Sequence, residues 1–215
     1  VIQGRLITAA DVALIALDGT WYFSSQKIHC ENCSHIEHKN GQITYFHNAI
    51  TPVIVAPGQA QAIALRPEFI IPQDGHAKQD CEIAAAKRWL ENNSSCYQSL
   101  GVTLLGDDIY AHQPFCRRTL LHGFHFLFVC KPDSHTTLST WVEQLEAGKE
   151  LQTLKLRVKN KRNLWKNYTY RYANNGPLAE GEDALKVNWC ELTTTEPCNS
   201  DTGESVTAAA TLTCG

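Results

Sequence analysis

Apolar positions fall into short runs separated by turn signals, and the runs switch between a period of two and a period near 3.6. Residues 11–23 form, after Asp11, a nearly continuous apolar run broken only by Asp18-Gly19-Thr20, as in a strand buried on both faces. Residues 42–56 are rich in β-branched and aromatic side chains and predict two further strands. Asn40-Gly41 before them is a hairpin signal, and Pro57-Gly58 closes the segment with a turn. Residues 78–92 predict the best helix of the chain, with Ile83, Ala86 and Leu90 on one face and Ala85 and Trp89 beside them. Gly101 leads into a strand over 102–105, a helix-like stretch covers 109–122, and residues 124–130 predict another buried strand. Residues 136–147 predict a helix ended by Gly148.

A strand–helix–strand crossover makes the two strands parallel neighbours. The order therefore predicts an α/β fold with a mixed five-stranded sheet and flanking helices, the strand carrying Asp18 lying beside the strand that ends at Asp107. Beyond residue 150 the period is two. Lys155 to Lys159 alternates cation and apolar residue, residues 168–172 alternate Tyr with polar residues, and 184–195 supply another strand. The last twenty residues are rich in Thr, Ala and Ser, have no periodicity and predict no element. The organisation read from the sequence is a core over 10–148, a β-rich basic insertion over 149–197 and a truncated or disordered tail over 198–215.

At 215 residues the chain accommodates one domain or a domain with an insertion, and 43% hydrophobic against 19% charged residues excludes a disordered chain. No apolar run approaches the roughly 18 residues of a membrane span, and Val1–Leu6 does not have the shape of a signal peptide. Nine scattered cysteines fit reduced thiols better than a disulfide scaffold. A cytoplasmic location is expected. The net charge of −3 hides a local asymmetry: residues 151–179 hold seven cations and no acid.

The first candidate chemistry is the pair Asp18 and Asp107, each closing an apolar strand. Two carboxylates on adjacent strands repel each other, and a divalent cation relieves the repulsion. A metal-dependent phosphoryl-transfer site follows. Each residue taken alone has a plainer reading: Asp18-Gly19 as a turn, and Asp107 or Asp108 as a helix cap. Asp80 and Glu82 open the predicted helix and are read as complementing its dipole.

Four stretches carry a family resemblance: residues 17–25 (LeuAspGlyThrTrpTyrPheSerSer), residues 28–33 (IleHisCysGluAsnCys), residues 73–90 from Gln73 to Leu90, and residues 105–114 (LeuGlyAspAspIleTyrAlaHisGlnPro). Together they resemble insertion-sequence transposases of the Asp-Asp-Glu type over about residues 10–195. The resemblance implies a ribonuclease-H-like catalytic core with Asp18 and Asp107 as the first two acids. It also implies Mg²⁺ (or Mn²⁺) as cofactor, cleavage of transposon-end DNA and strand transfer into target DNA. Because two ends must be brought together, it implies a homo-oligomer on DNA. In that family a Glu on a late helix, beyond a β-rich insertion, completes the metal site. Here Glu191 and Glu204 follow at suitable distances without helical context, so the chain reads as a fragment truncated before the third acid. A different ribonuclease-H-like nuclease and a non-catalytic nucleic-acid-binding remnant are the competing readings.

Lys155, Arg157, Lys159, Lys161, Arg162, Trp165, Lys166 and Arg171 are the expected DNA contacts, cations for phosphates and an aromatic for stacking on bases. Cys30 and Cys33 form a Cys-x-x-Cys pair with the spacing of a Zn²⁺ knuckle, the remaining ligands to be drawn from His35, His38, His47 or Cys81. The alternative is a reduced thiol pair on a hairpin.

Overall fold

The computed structural model describes residues 12–72, 80–159, 165–195 and, as backbone, 205–212. The chain divides into two compact units. One holds the described residues up to Tyr110 with Arg118–His125; the other holds Ala111–Arg117 and the described residues from Phe126 onward. This division falls inside the span 10–148 read from the sequence as one core.

The first unit contains β1 (Leu14–Ala16), β2 (Gly19–Ser25), β3 (Ser34–Glu37), β4 (Ile43–Ile50), β5 (Val53–Val55), β6 (Ile63–Ala64), β7 (Glu68–Ile70), α1 (Glu82–Asn93) and β8 (Thr103–Gly106). β1 pairs in parallel with β8 and antiparallel with β5, which pairs with β6. The fold is α/β, with parallel and antiparallel strands in a mixed sheet and a few helices. The strand leading to Asp18 lies beside the strand leading to Asp107, as the crossover predicts. Ile15, Ile54 and Leu104, on these three strands, are fully buried.

The run over 11–23 is not one strand. The chain leaves β1 after Ala16, and β2 joins a second, antiparallel sheet with β4 and β3, β7 pairing on β4. The break falls at Leu17-Asp18, where the Asp18 carbonyl accepts hydrogen bonds from the Thr51 N–H (2.9 Å) and hydroxyl (3.3 Å). Thr51-Pro52 stands between β4 and β5, so both chain segments change sheets at the same level. Periodicity cannot reveal this, because an apolar run reads alike whether its strand stays in one sheet or leaves it. The Asn40-Gly41 turn joins β3 to β4 as predicted, with Gly41 at φ +77°, a left-handed backbone that glycine adopts without strain.

α1 buries Ala85, Ala86, Trp89 and Leu90, four positions on one helical face. Residues 73–79, which include the first part of the predicted helix, lie outside the described residues. The anchor of α1 is polar. Arg88 places two nitrogens on the Asp80 carboxylate, both at 2.8 Å, a third on Glu68 at 2.9 Å, and donates to the Phe69 carbonyl at 2.9 Å. The Trp89 indole N–H donates to the Arg66 carbonyl at 3.0 Å. These bonds fasten α1 to β7 and the segment before it. Burial alone would raise the Asp80 carboxyl, but the Arg88 hydrogen bonds and charge, with the Ile71 and Cys81 N–H groups, hold it below its ordinary 3.8.

The second unit contains the first half of α2 (Gln113–Leu121), β9 (His125–Val129) beyond its first residue, α3 (Thr136–Ala147), β10 (Gln152–Lys159), β11 (Trp165–Pro177), β12 (Lys186–Thr195) and β13 (Ser205–Leu212). Its strand order is β10-β11-β12-β13-β9. α3 matches its predicted span. β13 lies in the tail predicted to form no element. It pairs with β12 over eight residues and with β9 over three. Its ladder is completed by backbone partners on both sides, which requires no apolar alternation in its own sequence.

Arg88→Ala should lower unfolding stability by about 2–3 kcal/mol, because it leaves the buried Asp80 carboxylate without its partner while Arg88 itself is part-exposed. Asp80 has a lowered folded-state pKa, so its contribution is present above pH ~3.8 and is lost as pH falls through the lowered value. Thermal melts of wild type and Asp80→Asn should therefore differ at neutral pH and converge in acid, as pH falls through that lowered value.

Candidate functional site

Strand pairing determines where Asp18 and Asp107 stand. Ala16 and Leu105 are register partners in the β1–β8 pair, and the Leu17 N–H donates to the Leu105 carbonyl at 2.8 Å. Asp18 and Asp107 each lie two residues beyond those partners, just past neighbouring strand ends. Both are exposed. The Asp107 carboxylate accepts the Ile109 N–H at 3.1 Å and so caps the single turn Asp108–Tyr110. The helix-cap reading of Asp107 therefore holds for one of its oxygens, and the other remains for a different partner. Asp108, the alternative at this strand end, is buried.

A third carboxylate, Glu82, joins them from α1. The Tyr110 hydroxyl, fully buried, donates to Glu82 Oε1 at 2.5 Å. Glu82 Oε2 lies over Gly19, the residue after Asp18, where a Cβ would stand only 2.5 Å away. Burial first, then the Glu82 hydrogen bond and charge, then the charges of Asp107 and Asp18 raise the Tyr110 phenol well above its ordinary value. The phenol thus stays protonated and holds one Glu82 oxygen while feeling all three acids. The sequence reads Glu82 as a dipole partner at the helix start, and it does occupy the first turn. What periodicity cannot show is that α1 aims this residue at Gly19 and Tyr110.

All donors of this group are hard carboxylate oxygens, which suit Mg²⁺ or Mn²⁺. Among the described residues, only Cys30, Cys33 and His47 bring three ligand atoms within 4.8 Å of one another. The carboxylate oxygens of Asp18, Asp107 and Glu82 do not all gather within that distance.

The other predicted site residues fall elsewhere. Glu191 is on β12 and pairs with Arg171 at 2.5 Å; Arg171 also pairs with Glu146 at 2.5 Å. Arg171, an expected DNA contact, is thereby engaged by two acids of its own unit. Lys155, Arg157 and Lys159 share one face of β10, an exposed edge strand, and across the register stand Thr169, Asn167 and Trp165. Arg157 and Lys159 lie over the Trp165 ring, 4.5 and 5.0 Å from its centroid. Lys166 lies over Tyr168 at 5.6 Å. Lys161, Arg162 and Glu204 lie outside the described residues. The Cys-x-x-Cys pair is joined by His47 of β4 and not by His38, whose Nε2 bonds the Thr44 hydroxyl at 2.8 Å, nor by His35, which packs on Tyr45.

Among the described residues no helix is long and apolar enough to cross a membrane. Comparison of the chain with protein-family models and with curated proteins finds no match.

Gly19→Ala should lower stability by about 1–3 kcal/mol, because it pushes aside the carboxylate that accepts from the buried Tyr110 hydroxyl. The same change should weaken Mn²⁺ binding roughly tenfold, about 1.4 kcal/mol, by displacing Glu82. Isothermal titration of wild type and variant measures both the affinity and its loss.

Proposed function

We propose that this chain carries out metal-dependent phosphodiester chemistry on DNA, as the catalytic core of an Asp-Asp-Glu-type transposase with a ribonuclease-H-like arrangement. The observation that carries the reading is the meeting of three elements at one solvent-facing edge: Asp18 after β1, Asp107 after β8, and Glu82 from the first turn of α1. Mg²⁺ held by these carboxylates would polarise a phosphoryl oxygen and lower the pKa of an attacking water or 3′-hydroxyl.

The chain's own residues supply placement. The β1–β8 register sets the spacing of Asp18 and Asp107. Tyr110 restrains Glu82 through one oxygen and leaves the other beside Gly19. Gly19, without a side chain, leaves room for that carboxylate. The Ile109 N–H restrains Asp107 in the same way. These restraints reduce the side-chain reorganisation needed as the site acts. On this reading Glu82 serves as the third acid and the late-helix Glu is not required for metal binding by this unit.

The cationic face of β10 supports DNA as the substrate. Three cations alternate along an exposed strand beside Trp165, the residue types that meet phosphates and stack on bases. A non-catalytic DNA-binding protein would use the same strand, and activity separates the two readings.

Asp18→Asn, Glu82→Gln and Asp107→Asn should each lower Mg²⁺-dependent cleavage of duplex DNA on the order of 100-fold or more while the fold is kept. Gel assays with and without Mg²⁺ measure cleavage, and appearance of joined strands distinguishes strand transfer from cutting alone. A wild-type chain that binds DNA and never cuts it would overturn the catalytic reading. Replacing Lys155, Arg157 and Lys159 with Ala should weaken DNA binding regardless of sequence. It should also lower the slope of log K against log salt by roughly 2–3, near 0.9 for each phosphate that is no longer neutralised.

A further inference from the structure

The geometry points to a second metal site, remote in chemistry from the acids: we propose that Cys30, Cys33 and His47 bind one Zn²⁺. The cysteines lie on the connection between β2 and β3, and His47 lies in the middle of β4. Their ligand atoms form a triangle, with Sγ to Sγ at 3.8 Å, Cys30 Sγ to His47 Nε2 at 3.4 Å, and Cys33 Sγ to His47 Nε2 at 3.3 Å. Tetrahedral Zn²⁺ with bonds near 2.3 Å to sulfur and about 2.05 Å to nitrogen requires edges of about 3.8 Å between sulfurs and about 3.6 Å between sulfur and nitrogen. All three observed edges fall within ~0.3 Å of those values.

The surroundings hold the ligands in that geometry. The Cys30 N–H points at Cys33 Sγ at 3.3 Å, so a backbone amide faces the sulfur that the metal would share. The His47 ring lies flat against Tyr22, with centroids 5.7 Å apart and planes 15° apart, and Phe23 packs at its side. A register shift between Trp21 and Phe23 sets His47 opposite Phe23. Cys33 is buried, whereas Cys30 is exposed, and both line an open cavity of about 580 Å³ together with Ile28 and His29. The three protein ligands leave one tetrahedral position, which the open cavity makes accessible to solvent.

The bound ion would fasten the long β2–β3 connection to β4. Residues 26–33 include no strand, and the paired part of β3 begins only at Ser34. Three ligands from two segments close that loop, and binding free energy at such a site is folding free energy. The ligand set is soft where the acidic site is hard, so the two sites select different ions. The proposal does not depend on the DNA reading.

The test uses the whole chain, purified under reducing conditions. Metal analysis should find one zinc per chain. Replacement by Co²⁺ should give thiolate-to-cobalt charge-transfer absorption and the intense visible bands of a tetrahedral ion. Cys30→Ser, Cys33→Ser and His47→Ala should each weaken Co²⁺ binding by more than ~100-fold, the upper range for loss of an outer partner. Cys96→Ser, at an exposed cysteine on a different segment, should leave it unchanged. Asp18→Asn should also leave it unchanged, which separates failure of this site from failure of the acidic one. Wild-type chain that carries no zinc and shows no charge-transfer band on Co²⁺ titration overturns the proposal, whether or not the variants fold.

Discussion

The parallel pairing of β1 with β8 is the constraint on which the acidic site rests. Parallel neighbours need a long crossover, and the chain between β1 and β8 supplies one that includes a second sheet and α1. The pairing brings Asp18 and Asp107, remote in sequence, to adjacent strand ends. It also leaves their carboxylates beyond the carboxyl ends of the two strands, exposed to solvent. Like charges at this spacing are tolerated because both are exposed and one is restrained by a backbone N–H.

α1 adds the third charge, and its position follows from a different interaction. The Arg88 network with Asp80, Glu68 and the Phe69 carbonyl fastens the helix to β7. Apolar burial of Ala85, Ala86, Trp89 and Leu90 brings the helix close but does not define its rotation as directional hydrogen bonds do. With the rotation defined, Glu82 reaches Tyr110 and Gly19. The network is thus a support for the site as well as for the fold. Tyr110 links the two sides, since it follows β8 in the chain and binds the first residue of α1.

The second sheet of the first unit has its own chemistry. Its strands carry aromatic residues, and the β2–β3 connection together with β4 carries the Cys30–Cys33–His47 triangle, with soft ligands and no carboxylate in the triangle. Asp18 stands at the point where the chain passes from the first sheet to this one. One residue therefore ends the buried strand, accepts Thr51 hydrogen bonds through its carbonyl and presents a carboxylate to solvent. The turn reading of Asp18 concerns its backbone and leaves its exposed carboxylate out of that turn's hydrogen bonds with Thr51.

By itself the sequence determined the elements with strong local signals. The helices around 82–93 and 136–147, the Asn40-Gly41 hairpin, the alternating strands after 150 and the pairing of the Asp18 and Asp107 strands were legible from period, turn residues and crossover logic. Legible too were the candidate ligand types: two aspartates at strand ends, a Cys-x-x-Cys pair and an alternating cationic strand. Only the tertiary structure decided which distant side chains complete each group. It brought Glu82 to Gly19 and Tyr110, chose His47 over His35 and His38, engaged Arg171 with Glu146 and Glu191, and split the first apolar run between two sheets. It also gave β13 two strand partners despite a sequence without periodicity. The physical reason is the same in each case. Local pattern reports which face of an element is apolar, whereas the rotation of a helix, the register of a bulged strand and the pairing of a central strand depend on contacts far away in the chain.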